Sequence, residues 1–301
     1  LDLSVLPDGR IQVLTAVPDQ GSGSFTVIQR VAAAALSVAP ERIVVTHGTT
    51  ANALMDQGAG ASRVTHVVGQ AARLGAVKLK ERLEGLAAEA MGWPAGAVAI
   101  ERDQFVVQDG SGEAATYDDV MARIAAGPPV EVDSRYVSEH GHGDPGDFNF
   151  FGYAVETRVD QDTGHFEIVD VTLVVDVGTI INPVAHQGQL DGGFIYGLGN
   201  TILEEMPMDA GKVLTLNLGD YKLPTIHDVP RFRTVMLQTT IGPGPFGAKM
   251  AGEASNTGIA PAIANSIADA CGVRLMNLPL SAERIRTALD QAEEALSAAA
   301  R

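Results

Sequence analysis

Three glycine-rich loops, each placed ahead of a helical stretch, constrain this chain most. They are Asp19-Gln20-Gly21-Ser22-Gly23-Ser24, Asp56 to Ser62, and Gly252 to Gly258. Main-chain N–H groups gathered at a helix N-terminus form a ready anion site. One such loop reads more simply as an ordinary turn. Three of them, with hydroxyls at Ser22, Ser24 and Ser62 in the first two, point to a long polyanionic ligand held along several elements. The last loop also holds a carboxylate among small residues, Ala251-Gly252-Glu253-Ala254-Ser255-Asn256. Gly252 permits close approach of another group, and a carboxylate presented in that way suits a general base. The plainer alternative is a solvated Glu favoured by the dipole of the next helix.

The elements between these loops imply an α/β fold with mixed sheets and packed helices in two subdomains. Leu3 to Leu6 and Ile11 to Leu14 flank Asp8-Gly9, a hairpin signal. Phe25, Ile28, Ala32 and Ala35 make one helical stripe, and Arg42 to Thr46 reads as a short strand. A long helix follows the second loop as far as Met91. Two strands lie at 97–102 and 104–108, and Thr116 with Asp119 opens a short helix as a capping box. Gly127-Pro128-Pro129 is the expected boundary between subdomains 1–127 and 128–301. Beyond it, 153–160 and 166–175 alternate as strands. Residues 186–205 then read as a helix carrying Gly192, Gly193, Gly197 and Gly199. Each glycine there costs about 1 kcal/mol relative to Ala, so something must approach that backbone closely. Helices at 258–271 and from Ser281 close the chain.

Charge and cysteine content remove several function classes. Lys plus Arg number 21 against 37 Asp plus Glu, a formal net charge of −16. Such a chain repels nucleic-acid phosphates and anionic membrane surfaces. No apolar run reaches the roughly 18 residues of a membrane span. The single cysteine, Cys271, cannot form an internal disulfide or a four-cysteine cluster; it reads as a small buried residue, and a cytoplasmic location is expected. Gly242-Pro243-Gly244-Pro245-Phe246-Gly247 matches a dinucleotide string, but its two prolines forbid the helix that the fingerprint needs. His140-Gly141-His142-Gly143-Asp144 resembles a metal-ligand cluster without a third histidine, and a solvated loop is expected. His47, His66 and His186 read as isolated polar residues, and no residue is assigned as a metal ligand.

Five segments, in order, carry a family resemblance: Asp176-Val177-Gly178-Thr179-Ile180-Ile181-Asn182-Pro183, Gly188-Gln189-Leu190-Asp191-Gly192-Gly193, Tyr196-Gly197-Leu198-Gly199, Tyr221-Lys222-Leu223-Pro224-Thr225 and Gly247 to Glu253. Together they resemble the molybdenum hydroxylases, the family of xanthine dehydrogenase, aldehyde oxidoreductase and bacterial N-heterocycle dehydrogenases. The likeness is to the C-terminal half of the molybdopterin-binding subunit and runs over nearly the whole chain. It implies that Glu253 is the catalytic base, partly desolvated. It implies pterin contacts at Gln20, Gly21, Ser22 and Gly23, with Ser22 standing where many members carry Gln. Dinucleotide and pterin contacts match Gly58, Gly60, Ala61, Ser62 and Arg63, while Gln189 and Gly252 lie by the metal centre. The wording of the second loop implies molybdopterin cytosine dinucleotide.

The resemblance also implies partners. The [2Fe–2S] clusters and FAD would sit on other subunits, and a large molybdopterin subunit would carry the first half of the binding region. The opening at Leu1-Asp2 suggests a split-gene subunit or a processed piece. Heteroaromatic hydroxylation is the expected reaction, ahead of aldehyde oxidation and, further off, carbon monoxide oxidation. A non-catalytic scaffold that kept the fold, and an unrelated anion-binding protein, are the alternatives from other classes.

Overall fold

A computed structural model describes residues 1–138 and 148–299. The histidine-containing segment 140–144 lies outside the described residues. The chain divides into two compact units that interleave along the sequence. The first comprises Leu1–Phe148, Gly178–His186 and Thr239–Met250; the second comprises Asn149–Val177, Gln187–Gln238 and Ala251–Arg301.

In the first unit, β1 (Asp2–Val5) and β2 (Ile11–Thr15) form the expected hairpin. Alternation along β2 turns Ile11, Val13 and Thr15 inward. The helix α1 (Ser24–Leu36) carries the chain to β3 (Ile43–His47), which pairs parallel to β2. A single π-turn, Val64–Val68, leads into α2 (Gly69–Met91). Strands β4 (Val98–Glu101), β5 (Gln104–Val107) and β6 (Ala114–Thr116) make a small antiparallel sheet. The helix α3 (Tyr117–Ala125) begins at Thr116, whose hydroxyl accepts from the Asp119 amide at 3.2 Å. Gly127-Pro128-Pro129 joins α3 to β7 (Glu131–Asp133), which pairs with β1 inside this unit and completes the order β3-β2-β1-β7. Leu3, Ile11, Ile28, Leu36, Leu79 and Leu83 are fully buried at its centre.

The second unit is built on β8 (Phe151–Val159) and β9 (Phe166–Asp176), antiparallel with a bulge at Glu156/Thr157. The helix α4 spans Pro183–Ile202. Two short strands, β10 (Met208–Asp209) and β11 (Lys212–Val213), make an exposed hairpin. Strand β12 (Arg231–Leu237) then adds to β9 in parallel, giving the order β12-β9-β8. The helices α5 (Ile259–Cys271) and α6 (Ala282–Ala299) complete the unit. Phe194 of α4 stacks on Phe232 of β12 with ring centroids 4.0 Å apart. Val171, Leu198, Ile259, Ile263, Ile267 and Ile285 fill the core around them. No helix among the described residues is long and apolar enough to cross a membrane.

Candidate active site

The first loop folds around a carboxylate. The Asp19 side chain accepts from the Gly23 amide at 2.9 Å and the Phe25 amide at 3.2 Å, and the Asp19 carbonyl accepts from the Ser22 amide and hydroxyl. These bonds satisfy two donors that the start of α1 would otherwise leave open. Gln20 at φ 51, Gly21 at φ 81 and Gly23 at φ 77 are all left-handed. A Cβ added to Gly21 would meet nothing within 4 Å, so the main chain there is open to a ligand. Gly23 is different, because its Cβ would come within 2.7 Å of the Ala185 Cβ. The loop therefore sits directly against the first turn of α4. Arg30 donates to the Ile181 carbonyl at 2.9 Å and ties the same two segments together.

The second loop repeats the device. Asp56 accepts from the Gly58 amide at 2.8 Å and pairs with Arg63, which also donates to the Gly58 carbonyl at 2.8 Å. Arg63 is thus committed within the loop, and its expected contact with a phosphate would have to be shared with Asp56. Gly58, Ala61 and Ser62 are left-handed, and the Cβ positions of Gly58 and Gly60 face open space. Beside the loop lies a cavity of about 600 Å³, lined by Asp56, Gln57, Arg63, Arg135 and Tyr136 among others. That size suits a small-molecule or cofactor fragment. Buried His66 lies 3.3 Å from the Tyr136 hydroxyl on its far wall. Both loops open with Asp-Gln-Gly, at 19–21 and at 56–58. That repeated triplet is the sequence signal by which Asp19 and Asp56 were findable, and the motif reading passed over it.

The third loop belongs to the second unit. Residues 252–258 form a run of turns before α5, pressed onto the glycine face of α4. A Cβ on Gly193 would strike the Ser255 hydroxyl; one on Gly197 would lie 2.7 Å from Ile259 and 3.1 Å from the Asn256 Cα. Two of the glycines of α4 are thus explained, since they let this loop approach the helix backbone, whereas a Cβ on Gly192 would meet nothing within 4 Å. From the other side, the Tyr153 hydroxyl donates to the Ser255 carbonyl, and a Cβ on Gly258 would lie 2.9 Å from the Tyr153 ring. Burial pushes the Tyr153 phenol up, beyond the ordinary range. The Thr257 hydroxyl contacts the Glu253 carbonyl at 2.9 Å. The backbone of Glu253 is therefore fixed while its side chain is exposed on this chain. Gln189 is half-buried on α4 in the same unit.

Tyr196, also on α4, stands in a quoted motif but was given no role of its own. Burial raises its phenol, the Glu253 carboxylate raises it further, and Asn256 acts to lower it. Its signal was its place between two glycines that turned out to touch the loop. Ser255 is fully buried, and its hydroxyl has no hydrogen-bond partner. Burial also lowers His186, whose Nε2 is buried without a partner near the start of α4. Cys271 is half-buried, and its thiol donates to the Ile267 carbonyl. Pro245–Gly247 forms a short 3₁₀ turn rather than a helix start, as its prolines require. Among the described residues no cluster of three His, Cys, Asp or Glu side chains is placed to hold a metal ion.

Mixed α/β units that offer open glycine main chain to an anionic ligand define a cofactor-binding class. Comparison with known proteins names it. The profile of the molybdopterin cofactor-binding domain matches residues 1–230, and the chain belongs to that family, the molybdenum hydroxylases. It is 35% identical over 290 residues to the probable hypoxanthine oxidase XdhD of Escherichia coli (strain K12), covering 94% of this chain and 30% of that protein. It is 29% identical to the 6-hydroxypseudooxynicotine dehydrogenase complex subunit gamma of Paenarthrobacter nicotinovorans, covering 92% of this chain and 36% of that one. Among solved structures, quinoline 2-oxidoreductase from Pseudomonas putida 86 superposes with a TM-score of 0.82 at 26% identity, over 96% of this chain and 38% of that one. The chain thus spans about a third of the length of the relatives it matches. Those relatives are molybdopterin-dependent oxidoreductases, and the mixed α/β expectation holds.

Proposed function

We propose that this chain supplies the catalytic base and part of the cofactor cradle of a molybdenum hydroxylase that acts on an N-heteroaromatic substrate. The observation that carries the reading is the third loop. A carboxylate stands at the rim of a turn whose backbone is clamped between α4 and Tyr153, in a chain of this family. Hypoxanthine and quinoline, named for two of its relatives, both contain ring nitrogens, which supports the heterocycle over the aldehyde.

The residues present fit a phosphate-bearing pterin. Gly21, Gly58 and Gly60 leave their main chain uncovered, and the left-handed Gln20, Ala61 and Ser62 turn their peptide groups away from the helical direction. Main-chain amides of this kind are suited to receive a phosphate. Gln20, Gly21, Ser22 and Gly23 would hold the pterin. Gly58, Gly60, Ala61, Ser62 and Arg63 would hold its distal part, a cytosine dinucleotide in our reading. Gln189 and Gly252 would flank its reactive end. When bound, the cofactor supplies the oxygen-transfer and two-electron chemistry.

Glu253 contributes the proton acceptor, held by its backbone so that the carboxylate addresses the reacting group without a long side-chain network. The remainder of the enzyme would cover this carboxylate and raise its basicity by excluding water. In this reading a large molybdopterin subunit completes the cradle. A [2Fe–2S] subunit and a FAD subunit take the electrons, and the complex is cytoplasmic. Glu253→Gln in the assembled enzyme is expected to lower kcat by about 10²–10⁴-fold with molybdenum and nucleotide content unchanged. Near-normal turnover would remove the base assignment, and loss of molybdenum would reassign the residue to the cradle. Turnover of aldehydes in preference to ring heterocycles would overturn the substrate class.

A further inference from the structure

The stretch from Glu205 to Asp228 in the second unit has a fixed course and yet is almost uncovered. Thr215, Tyr221 and Pro224 are half-buried, and every other residue in it is exposed. Polar bonds hold its path. Met208 pairs with Val213 and Asp209 with Lys212 across the β10–β11 hairpin, and the Leu214 amide donates to the Pro207 carbonyl at 2.9 Å. Asn217 and Asp220 close the next turn, and Thr225 and Asp228 the one after it. The Tyr221 hydroxyl donates to Glu204 Oε2 at 2.6 Å. Pro224 lies against α4, where a Cβ on Gly199 would come within 2.9 Å of its ring. Along this path stand Met206, Met208, Leu216, Leu218 and Ile226, exposed by 56, 61, 82, 72 and 81%. None of the five belongs to either buried core. Their burial therefore contributes little to the folding of this chain, and apolar side chains held out on an ordered segment mark an interaction surface.

Charge and length say what covers it. The stretch carries Glu205, Asp209, Asp220 and Asp228 against Lys212 and Lys222. Two copies of the chain would bring that acidic rim, and a net charge of −16 each, face to face. A second copy is therefore opposed, and an apolar partner surface with a basic rim is favoured. The chain spans 30% of XdhD and 38% of the quinoline oxidoreductase chain, so most of such a protein lies outside the matched stretch and is available to cover it. We propose that residues 205–228 are the docking surface for the large molybdopterin subunit, which meets them with an apolar face rimmed by Lys and Arg. This rests on the reading that such a subunit completes the enzyme, and it adds the place where that subunit is held.

Methionine oxidation reads this surface without a variant. Peroxide converts an accessible Met to its sulfoxide, and peptide mass spectrometry gives the rate at each position. In the chain alone Met206 and Met208 are expected to react fast and the buried Met121 slowly. In the assembled enzyme both are expected to slow roughly tenfold, towards the rate of Met121. Leu216→Asp with Leu218→Asp is expected to leave the Tm of the chain unchanged, since both side chains are exposed in it. The same double variant is expected to cut co-purification of the large subunit about tenfold. Met206 and Met208 that stay fast in the assembled enzyme, or full co-purification with the double variant, overturn the inference and leave the proposed function standing. Protection that appears in the chain alone and grows with its concentration assigns the surface to a second copy and overturns the inference too. An active molybdenum enzyme purified with no large molybdopterin subunit overturns both this inference and the reading on which it rests.

Discussion

Gly197→Ala against Gly192→Ala isolates the contact that holds the Glu253 loop. Both glycines lie inside α4, five residues apart on a 20-residue helix. Each substitution gains helix propensity of about 1 kcal/mol and loses the same backbone freedom in the unfolded chain. Those contributions cancel in the difference between the two variants. What remains is the fate of the new methyl group. At Gly192, which is exposed, a Cβ meets nothing within 4 Å. At Gly197 it would lie 2.7 Å from the Ile259 Cγ2 and 3.1 Å from the Asn256 Cα. The second contact is with main chain, which cannot rotate away as a side-chain tip can. Overpacking of this kind costs about 1–3 kcal/mol. Gly192→Ala should therefore be stabilised by up to about 1 kcal/mol, and Gly197→Ala should fall below it by about 1–3 kcal/mol. Urea unfolding reads the gap: with m of about 3 kcal/mol/M for a chain of this size, the midpoints should differ by roughly 0.3–1 M. Amide exchange should quicken at residues 254–262 in Gly197→Ala only. Midpoints that coincide would refute the reasoning, because they would show that the loop moves aside freely and that α4 does not fix Glu253.

Asp19→Ala removes the acceptor for the Gly23 and Phe25 amides; it is expected to cost about 1 kcal/mol by thermal unfolding, with Asp19→Asn nearer to wild type. Gly178→Ala places a methyl group against the Gly247 carbonyl at a residue with φ 61; strain and clash together should cost about 2–5 kcal/mol, visible as a lowered Tm or lost soluble yield. His186 is held below its ordinary value of 6.5 by burial. A depressed folded pKa means that the unfolded chain binds the proton more readily, so stability is full above about pH 6.5 and falls as pH drops through the folded value. His186→Gln should flatten that slope in urea midpoints measured between about pH 5 and 7.

Local chemistry was legible in the sequence wherever the partner was also local. Thr116 caps α3 through Asp119 three residues on, and Asp8-Gly9 closes a hairpin whose strands adjoin it. The prolines at 243 and 245 excluded a helix with no outside help. The glycines of α4 told that something must come close, and Gly193 and Gly197 bear this out, but they did not tell what. The loop that fills the gap starts some 50 residues later in the chain. The parallel pairing of β2 with β3 was hidden for the same reason, since alternation fixes the face of a strand and not its neighbour. The three-residue β6 carries too few positions to show a period. Glu253, Gln189 and the glycine loops were named through motifs. The residues that brace them, Asp19, Asp56 and Thr257, carried no role in that reading, because a bracing side chain is defined by what it touches.

The two cradle loops pose an electrostatic problem that their geometry answers. In the proposed reading, a phosphate at the start of α1 or beside Asp56 meets a carboxylate already bonded to neighbouring amides. Coulomb repulsion between two unit charges 4 Å apart is about 1 kcal/mol in water and several times that in a partly buried site. The loops separate the charges by using different amides for each. Asp19 takes the N–H groups of Gly23 and Phe25, and Asp56 takes that of Gly58. Gln20, Gly21, Ala61 and Ser62, left-handed like Gly23 and Gly58, lie outside those bonds. The carboxylates are thus internal braces that hold the loop shape before a ligand arrives, lowering the ordering entropy its binding must overcome. The open glycine positions are where the ligand itself would lie. The same logic governs the Glu253 turn, whose backbone is held by the Thr257 hydroxyl and packed on α4.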